Sequence, residues 1–206
     1  MLRLLVRLHR ATGARIWHGA CVAANDPGTW RNEPVRLVPH DPAWAARFTA
    51  EAELLEATIG SWITGGIHHI GSTAVPGLEA KPIIDIAVGV ESLEASRPCI
   101  ELLSKIDYLY SPYRGDVMHW FCKPDPARRT HHLHLMPTGS ARLEDEIVFR
   151  DYLQTHPAHA AEYGELKRRV AAEHADDREA YTSAKADFVE SVTAAAHAWQ
   201  AESSAT

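Results

Sequence analysis

The chain has 206 residues and 22.8 kDa, the size of one domain with room for a substantial core. Its 46% apolar and 23% charged residues are ordinary for a globular protein, and a net charge of -6 with a pI near 6.1 argues against a general nucleic-acid binder, which would be basic. Cys21, Cys99 and Cys122 are few, odd in number and form no CxxC pair, so neither a disulfide framework nor a cysteine zinc site is suggested and a reducing, cytoplasmic location is the expectation.

Residues 1–32 stand apart. Arg3, Arg7, Arg10, Arg15 and Arg31 face one acid, Asp26, so this segment carries +4 and the remainder -10. A secretory h-region needs roughly 7–15 apolar residues, and the arginines interrupt any such run. The segment reads as an N-terminal extension, poorly ordered or loosely docked, with an Arg-rich targeting peptide as the other reading. No stretch approaches the roughly 18 apolar residues of a membrane span. The folded domain is expected over 33–200, with a short tail at 201–206.

In chain order, "VRLVPHDPAW" predicts a short strand and then a helix start, with Asp41 as N-cap and Pro42 in the first turn. Trp44, Phe48, Leu55 and Ile59 recur at helical spacing, and Gly60 ends a helix over about 42–59. A strand follows near 66–70, then a Gly-Ser turn and a Pro/Gly loop. "PIIDIAVGV" is the clearest strand: Ile84, Ile86, Val88 and Val90 share one face, while Asp85 lies on the other with Ile83, Ala87 and Gly89. Leu93, Ile100 and Leu103 predict a helix over 92–105. "DVMHWFCK" and "RTHHLHLM" predict two strands joined by the turn "PDPARR". The last third is helical: one helix from "EDEIVFRDYLQTHP", a second from Pro157, and a third from about Asp177 with Tyr181, Phe188, Val192 and Trp199 on one face. This is an α+β (α/β) layout.

Two polar groups stand out. Gly71 lets backbone approach a ligand closely, and the Ser72 hydroxyl can bond a phosphate oxygen; alone, the pair is also what an ordinary turn looks like. Asp85, thirteen residues after Ser72, stands alone in an apolar strand. A loop donor facing a strand carboxylate can hold a phosphate on one side and a divalent metal on the other. Lys81, four residues before Asp85, can steady a phosphate or be a solvated loop lysine. In "THHLHLM", His132 and His134 share a strand face, about 7 Å apart at Cβ, and can share a metal, while His131 points away with Leu133 and Leu135. Lys123 and Arg129 add positive charge nearby. His68 and His69 are further candidates for the same pocket. Trp120, Phe121, Tyr113 and Tyr110 can stack on a base, although core packing is the commoner role.

"VRLVPHDPAWAARFTAEAELL", "HHIGSTAVPGLEAKPIIDIAVGV", "RRTHHLHLM", "FRDYLQTHPAHAAEYGELKRRVA" and "DREAYTSAKADFV" resemble the GrpB family, in order, from about Val35 to Phe188. The resemblance implies a nucleotidyltransferase-like fold, a small mixed β-sheet with packed helices and a helical C-terminal segment. Similar domains occur fused to dephospho-CoA kinase, which hints at nucleotide or coenzyme A metabolism. The wider superfamily pairs a Gly-Ser turn with Asp-x-Asp on a strand. Here Gly71 and Ser72 match the turn and Asp85 the first acid, but the second acid falls at Ala87. A mixed site of Asp85, His132 and His134 would suit Mn²⁺ or Zn²⁺ better than Mg²⁺ alone.

Three readings follow. The first is an enzyme transferring a nucleotidyl or phosphoryl group to a small acceptor, with a divalent metal (Mg²⁺ or Mn²⁺, with Zn²⁺ as a third candidate) at the catalytic Asp85 and phosphates on Gly71, Ser72, Lys81, Lys123 and Arg129. The second is a nucleotide- or CoA-binding module without chemistry. The third is a metal-dependent hydrolase using Asp85, His132 and His134. The expected partner is a small nucleotide or CoA-like ligand, with no membrane and no general nucleic-acid binding. The oligomeric state is left open.

Overall fold

The computed structural model describes residues 34–112 and 114–204; the readings of the 1–32 extension and of Tyr113 lie outside the described residues. Helix α1 spans Ala43–Ile59. Asp41 Oδ1 accepts from Ala43 N–H at 2.9 Å, which holds the entry turn ahead of Pro42. Trp44, Leu55 and Ile59 are fully buried along its inner stripe. Strands β1 (Ile63–Ile70) and β2 (Ile84–Val90) follow, separated by the Gly71 turn and a loop. Helix α2 is Cys99–Ser104, then come β3 (Leu109–Ser111), β4 (His119–Lys123) and β5 (His131–Pro137). Four helices complete the described residues: α3 (Ala141–Thr155), α4 (Pro157–Glu173), α5 (Arg178–Ser183) and α6 (Ala186–Ser204).

Among the described residues, five strands form one mixed sheet in the order β1-β2-β5-β4-β3, parallel only between β2 and β5. Its two faces differ because side chains alternate along each strand. Ile84, Ile86, Val88 and Val90 join Phe121, Leu133 and Leu135 against α1 and α2. The opposite face carries Ile70, Ala87, Trp120, Cys122 and Met136, with Leu143 of α3 packed on it. A second apolar cluster of Val148, Phe149, Tyr163, Val189 and Val192 binds α3, α4 and α6 into a layer beside that face. The result is a mixed α+β fold, with the polar strand residues enclosed between the sheet and its C-terminal helices.

Several details differ from expectation, among them the short strand of "VRLVP", which reduces to an isolated bridge between Val38 and Ala80. The helix placed at 92–105 shortens to Cys99–Ser104, because Pro98 has no N–H to continue a helix and disfavours helical backbone at the residue before it. Ser92 Oγ instead accepts from Ala95 N–H at 3.1 Å in a local turn. The three-residue edge strand β3 has no counterpart in the sequence pattern. The third C-terminal helix is two, α5 and α6, broken at Ala184 and Lys185. Residues read as a tail from 201 continue α6 to Ser204. Among the described residues no helix is long and apolar enough to cross a membrane.

Candidate functional site

Parallel pairing of β2 with β5 sets Asp85 directly beside His132 and Ala87 beside His134. Alternation turns all four toward the helical layer. His132 Nδ1–H donates to Asp85 Oδ1 at 2.8 Å. The other ring nitrogen, Nε2, is buried and meets no hydrogen-bond partner in the protein. Burial holds the His132 imidazolium down to about 4 against the opposing pull of Asp85, so the ring is neutral near pH 7. Burial alone would raise the Asp85 carboxyl, but the His132 hydrogen bond and the charges of His132, His134 and Lys81 more than offset it and leave Asp85 below its ordinary value. The outcome is an ionised carboxylate holding a neutral imidazole in one tautomer. Beside it, His134 Nδ1 lies 3.4 Å from Glu146 Oε2 of α3, and Arg142 Nη2 lies 2.6 Å from Glu146 Oε1.

The Gly71 turn closes one side. Gly71 has φ of +69°, and a Cβ there would stand 2.6 Å from Asp85 Oδ2. Only glycine satisfies both the left-handed backbone and that approach. Ser72–Ala74 form a single 3-10 turn, braced by Thr73 Oγ1, which donates to Ile83 O at 3.3 Å and lies 3.0 Å from His69 Nε2. His69 stacks on Phe48 at 4.7 Å, and burial lowers its pKa to about 4. Ser72 and Tyr163 line the same cavity.

The remaining wall is cationic. A cavity of about 180 Å³ is lined by Ser72, Asp85, His132 and His134 on the sheet side and by Lys81, Lys167 and Lys185 opposite. Burial pushes the Lys81 amine to about 8, with the neighbouring Arg178 adding to it, and the Lys167 amine to about 7. Lys185 is pushed well down by burial and by the charges of Lys81 and Lys167.

Gly71, Ser72, Lys81, Asp85, His132 and His134 thus line one cavity, together with Trp120. Lys123 does not join them. It has the parity of Phe121, so it emerges on the other face of the sheet, where Nζ bonds Glu51 Oε1 at 2.8 Å. His131 shares that face, 3.8 Å from Glu51. Arg129 is buried against Trp120, its Nε donating to Pro126 O at 3.1 Å, and is not part of the cavity lining. His68 bonds Gly65 O at 2.7 Å, and Phe121 belongs to the opposite core. Sequence reasoning missed Arg142, Glu146, Tyr163, Lys167, Tyr181 and Lys185. One signal was available: Tyr163, Lys167 and Val170 follow helical spacing, which puts a lysine on the buried stripe of α4.

The donor set does not fit the metal cage that the resemblance implies. Asp85 Oδ1 is committed to His132, Ala87 stands where a second acid would be, and cationic side chains crowd the cavity. Among the described residues, no three His, Cys, Asp or Glu side chains are grouped to hold a metal ion.

A family model described as GrpB protein matches residues 34–195. The UPF0157 protein YqkA of Bacillus subtilis (strain 168) is 34% identical over 166 residues, 81% of this chain and 48% of that protein, so the chain spans about half the length of this relative. A protein named dephospho-CoA kinase from Mycolicibacterium paratuberculosis is 30% identical over 178 residues, 74% of this chain and 43% of that protein. The crystal structure of conserved protein GrpB from Enterococcus faecalis matches with a TM-score of 0.72 at 32% identity, covering 78% of this chain and 96% of that one. The likeness fits the nucleotidyltransferase-like fold.

Proposed function

This chain belongs to the GrpB family, and on that premise we propose that its cavity transfers a nucleotidyl or phosphoryl group from a phosphate-bearing ligand to a small acceptor. One observation carries the reading: the His132 imidazole, fixed by Asp85, keeps a buried, unpartnered Nε2 and lines a cavity walled by Ser72 and three lysines.

His132 Nε2 takes the proton of the acceptor hydroxyl as its oxygen attacks phosphorus. The bond from phosphorus to the leaving phosphate breaks, and its electron pair departs with that group. Asp85 holds the tautomer that leaves Nε2 free and stabilises the imidazolium as it forms. Lysine ammonium groups neutralise charge on the phosphate oxygens. Gly71 allows the turn to close over Asp85, and Ser72 offers a hydroxyl. No step is drawn through a divalent ion.

The test is a melting-temperature panel with ATP, CTP, GTP, UTP and coenzyme A, each with and without Mg²⁺, Mn²⁺ or Zn²⁺, followed by a product search by mass spectrometry. Coenzyme A belongs there because of the name of the mycobacterial relative. A ligand that binds only the native state raises the melting temperature. Asp85→Asn and His132→Gln are expected to keep that rise and to lose roughly 10²–10⁴-fold in turnover, the usual contribution of a general base. Full turnover in both variants would rule out this mechanism.

A second reading, a nucleotide- or CoA-binding module without chemistry, is favoured by Ala87 in place of a second acid. It expects the same thermal shifts and no product.

A further inference from the structure

Lys81, Lys167 and Lys185 reach one cavity from three places: the loop before β2, the middle of α4 and the break between α5 and α6. Among the described residues none of the three forms an ion pair with a carboxylate. Their neighbours are aromatic faces. Lys185 Nζ lies 4.0 Å and Lys81 Nζ 5.2 Å from the centroid of the same Tyr181 ring. Lys167 Nζ lies 4.9 Å from the Tyr163 ring and donates to Glu79 O. An ammonium has three donors, so most of the donors on this wall are unused by the protein.

Ring faces offset little of the cost of burying three like charges together. Arg142 does not share the problem, because Glu146 already compensates it. Asp85 is hydrogen-bonded to a neutral His132, so its single negative charge is what the cavity sets against the three lysines. One carboxylate is too little negative charge to keep all three amines ionised, and a ligand of matching negative charge supplies what is missing. A monophosphate brings at most two negative charges, whereas two or three linked phosphates bring three or four.

The geometry points to a phosphoanhydride cradle: Lys81, Lys167 and Lys185 hold the linked phosphates of a di- or triphosphate by direct charge-assisted hydrogen bonds, without a bridging divalent ion. This rests on the reading of the cavity as a phosphate-handling site and names its ligand class. The depressed amines give the cradle a signature. At pH 8 Lys81 and Lys167 are partly neutral in the free protein, and an anion restores their charge, so binding draws protons from the buffer.

The test is calorimetric titration of the full chain at pH 8 in EDTA with phosphate, pyrophosphate and tripolyphosphate, repeated in buffers of different ionisation enthalpy. The expected result is binding of pyrophosphate and tripolyphosphate at least tenfold tighter than phosphate, with net proton uptake. Lys81→Met, Lys167→Met and Lys185→Met each weaken it tenfold or more, while Lys105→Met at the exposed C-terminal end of α2 does not. Circular dichroism checks that each variant is folded, and the wild-type comparisons need no variant. The cradle is overturned by absence of binding in EDTA, by phosphate binding as tightly as pyrophosphate, by binding without proton uptake, or by folded lysine variants that bind like wild type. Failures are separable: pyrophosphate binding without turnover of any nucleotide sinks the transfer reading alone, and metal-dependent turnover with unaffected lysine variants sinks the cradle alone.

Discussion

Gly71 decides where Asp85 can stand. Its φ of +69° and the 2.6 Å that would separate a Cβ from Asp85 Oδ2 act together, because the strained residue is also the one in contact. Gly71→Ala must either move the turn or push the carboxylate off His132. The expected cost is about 1–3 kcal/mol, typical of a residue forced into disfavoured backbone, read as a lower urea midpoint. Ligand binding should fall with it, since Ser72 follows directly. A variant that melts like wild type would mean that the turn relaxes freely. At this scale the sequence was informative about facing but not about register. Alternation alone turned Asp85 away from Ile84, Ile86 and Val88, and the structure agrees. Lys123 was misplaced because its distance along the chain from His132 says nothing about which side of the sheet it serves. The pairing of Cys122 with His132 and of Lys123 with His131 settles that, and it depends on a turn whose length sequence reading could not assign.

Among the elements, the break between α5 and α6 matters most to the site. Lys185 N–H bonds Thr182 O, three residues back, which tightens the last turn of α5 and changes the phase before α6 begins. That turn brings both Tyr181 and Lys185 to the cavity. No Gly or Pro marks it, so the helical spacing from Tyr181 to Trp199 read as one uninterrupted helix. Pro98, by contrast, was visible and still underweighted. The strands carried the strongest pattern, and four of the five were legible; β3 is three residues long and finds its partner only once β4 is in place. Helix α5 is short and depends on its cap. Asp177 Oδ1 accepts from Glu179 N–H at 3.0 Å and from Ala180 N–H at 2.9 Å. Asp177→Ala should cost about 1 kcal/mol, as lost N-caps do, measured by chemical denaturation. It should also weaken pyrophosphate binding, because α5 carries the ring between Lys81 and Lys185. An unchanged affinity would show that α6 alone positions Lys185.

For the molecule as a whole, the site sets how stability follows pH. His132 and His69 titrate near 6.5 when unfolded and about 4 when folded, both lowered by burial. Between those values the unfolded chain binds more protons, so stability falls as pH drops from 6.5 toward 4. The slope from His132 is at most about 1.4 kcal/mol per pH unit. Lys167 and Lys81 repeat this at higher pH. Their folded values of about 7 and about 8 lie below the 10.5 of a free lysine, so the unfolded chain again holds more protons, and stability rises with pH from 7 toward 9. Both limbs slope the same way: the ligand-free protein should melt higher at pH 9 than at pH 7, and higher at pH 7 than at pH 5. Lys167→Met should flatten the upper limb, and His132→Gln the lower one. Pyrophosphate reverses the cause of the upper limb by restoring charge to the amines. Its stabilisation should therefore be larger at pH 7 than at pH 9, and the limb should level off in its presence. Differential scanning calorimetry at pH 5, 7, 8 and 9, with and without pyrophosphate, measures this directly. A ligand-free melting temperature that falls between pH 7 and pH 9 would mean that Lys81 and Lys167 keep their charge inside the fold, and that the cavity is wetter than its geometry indicates.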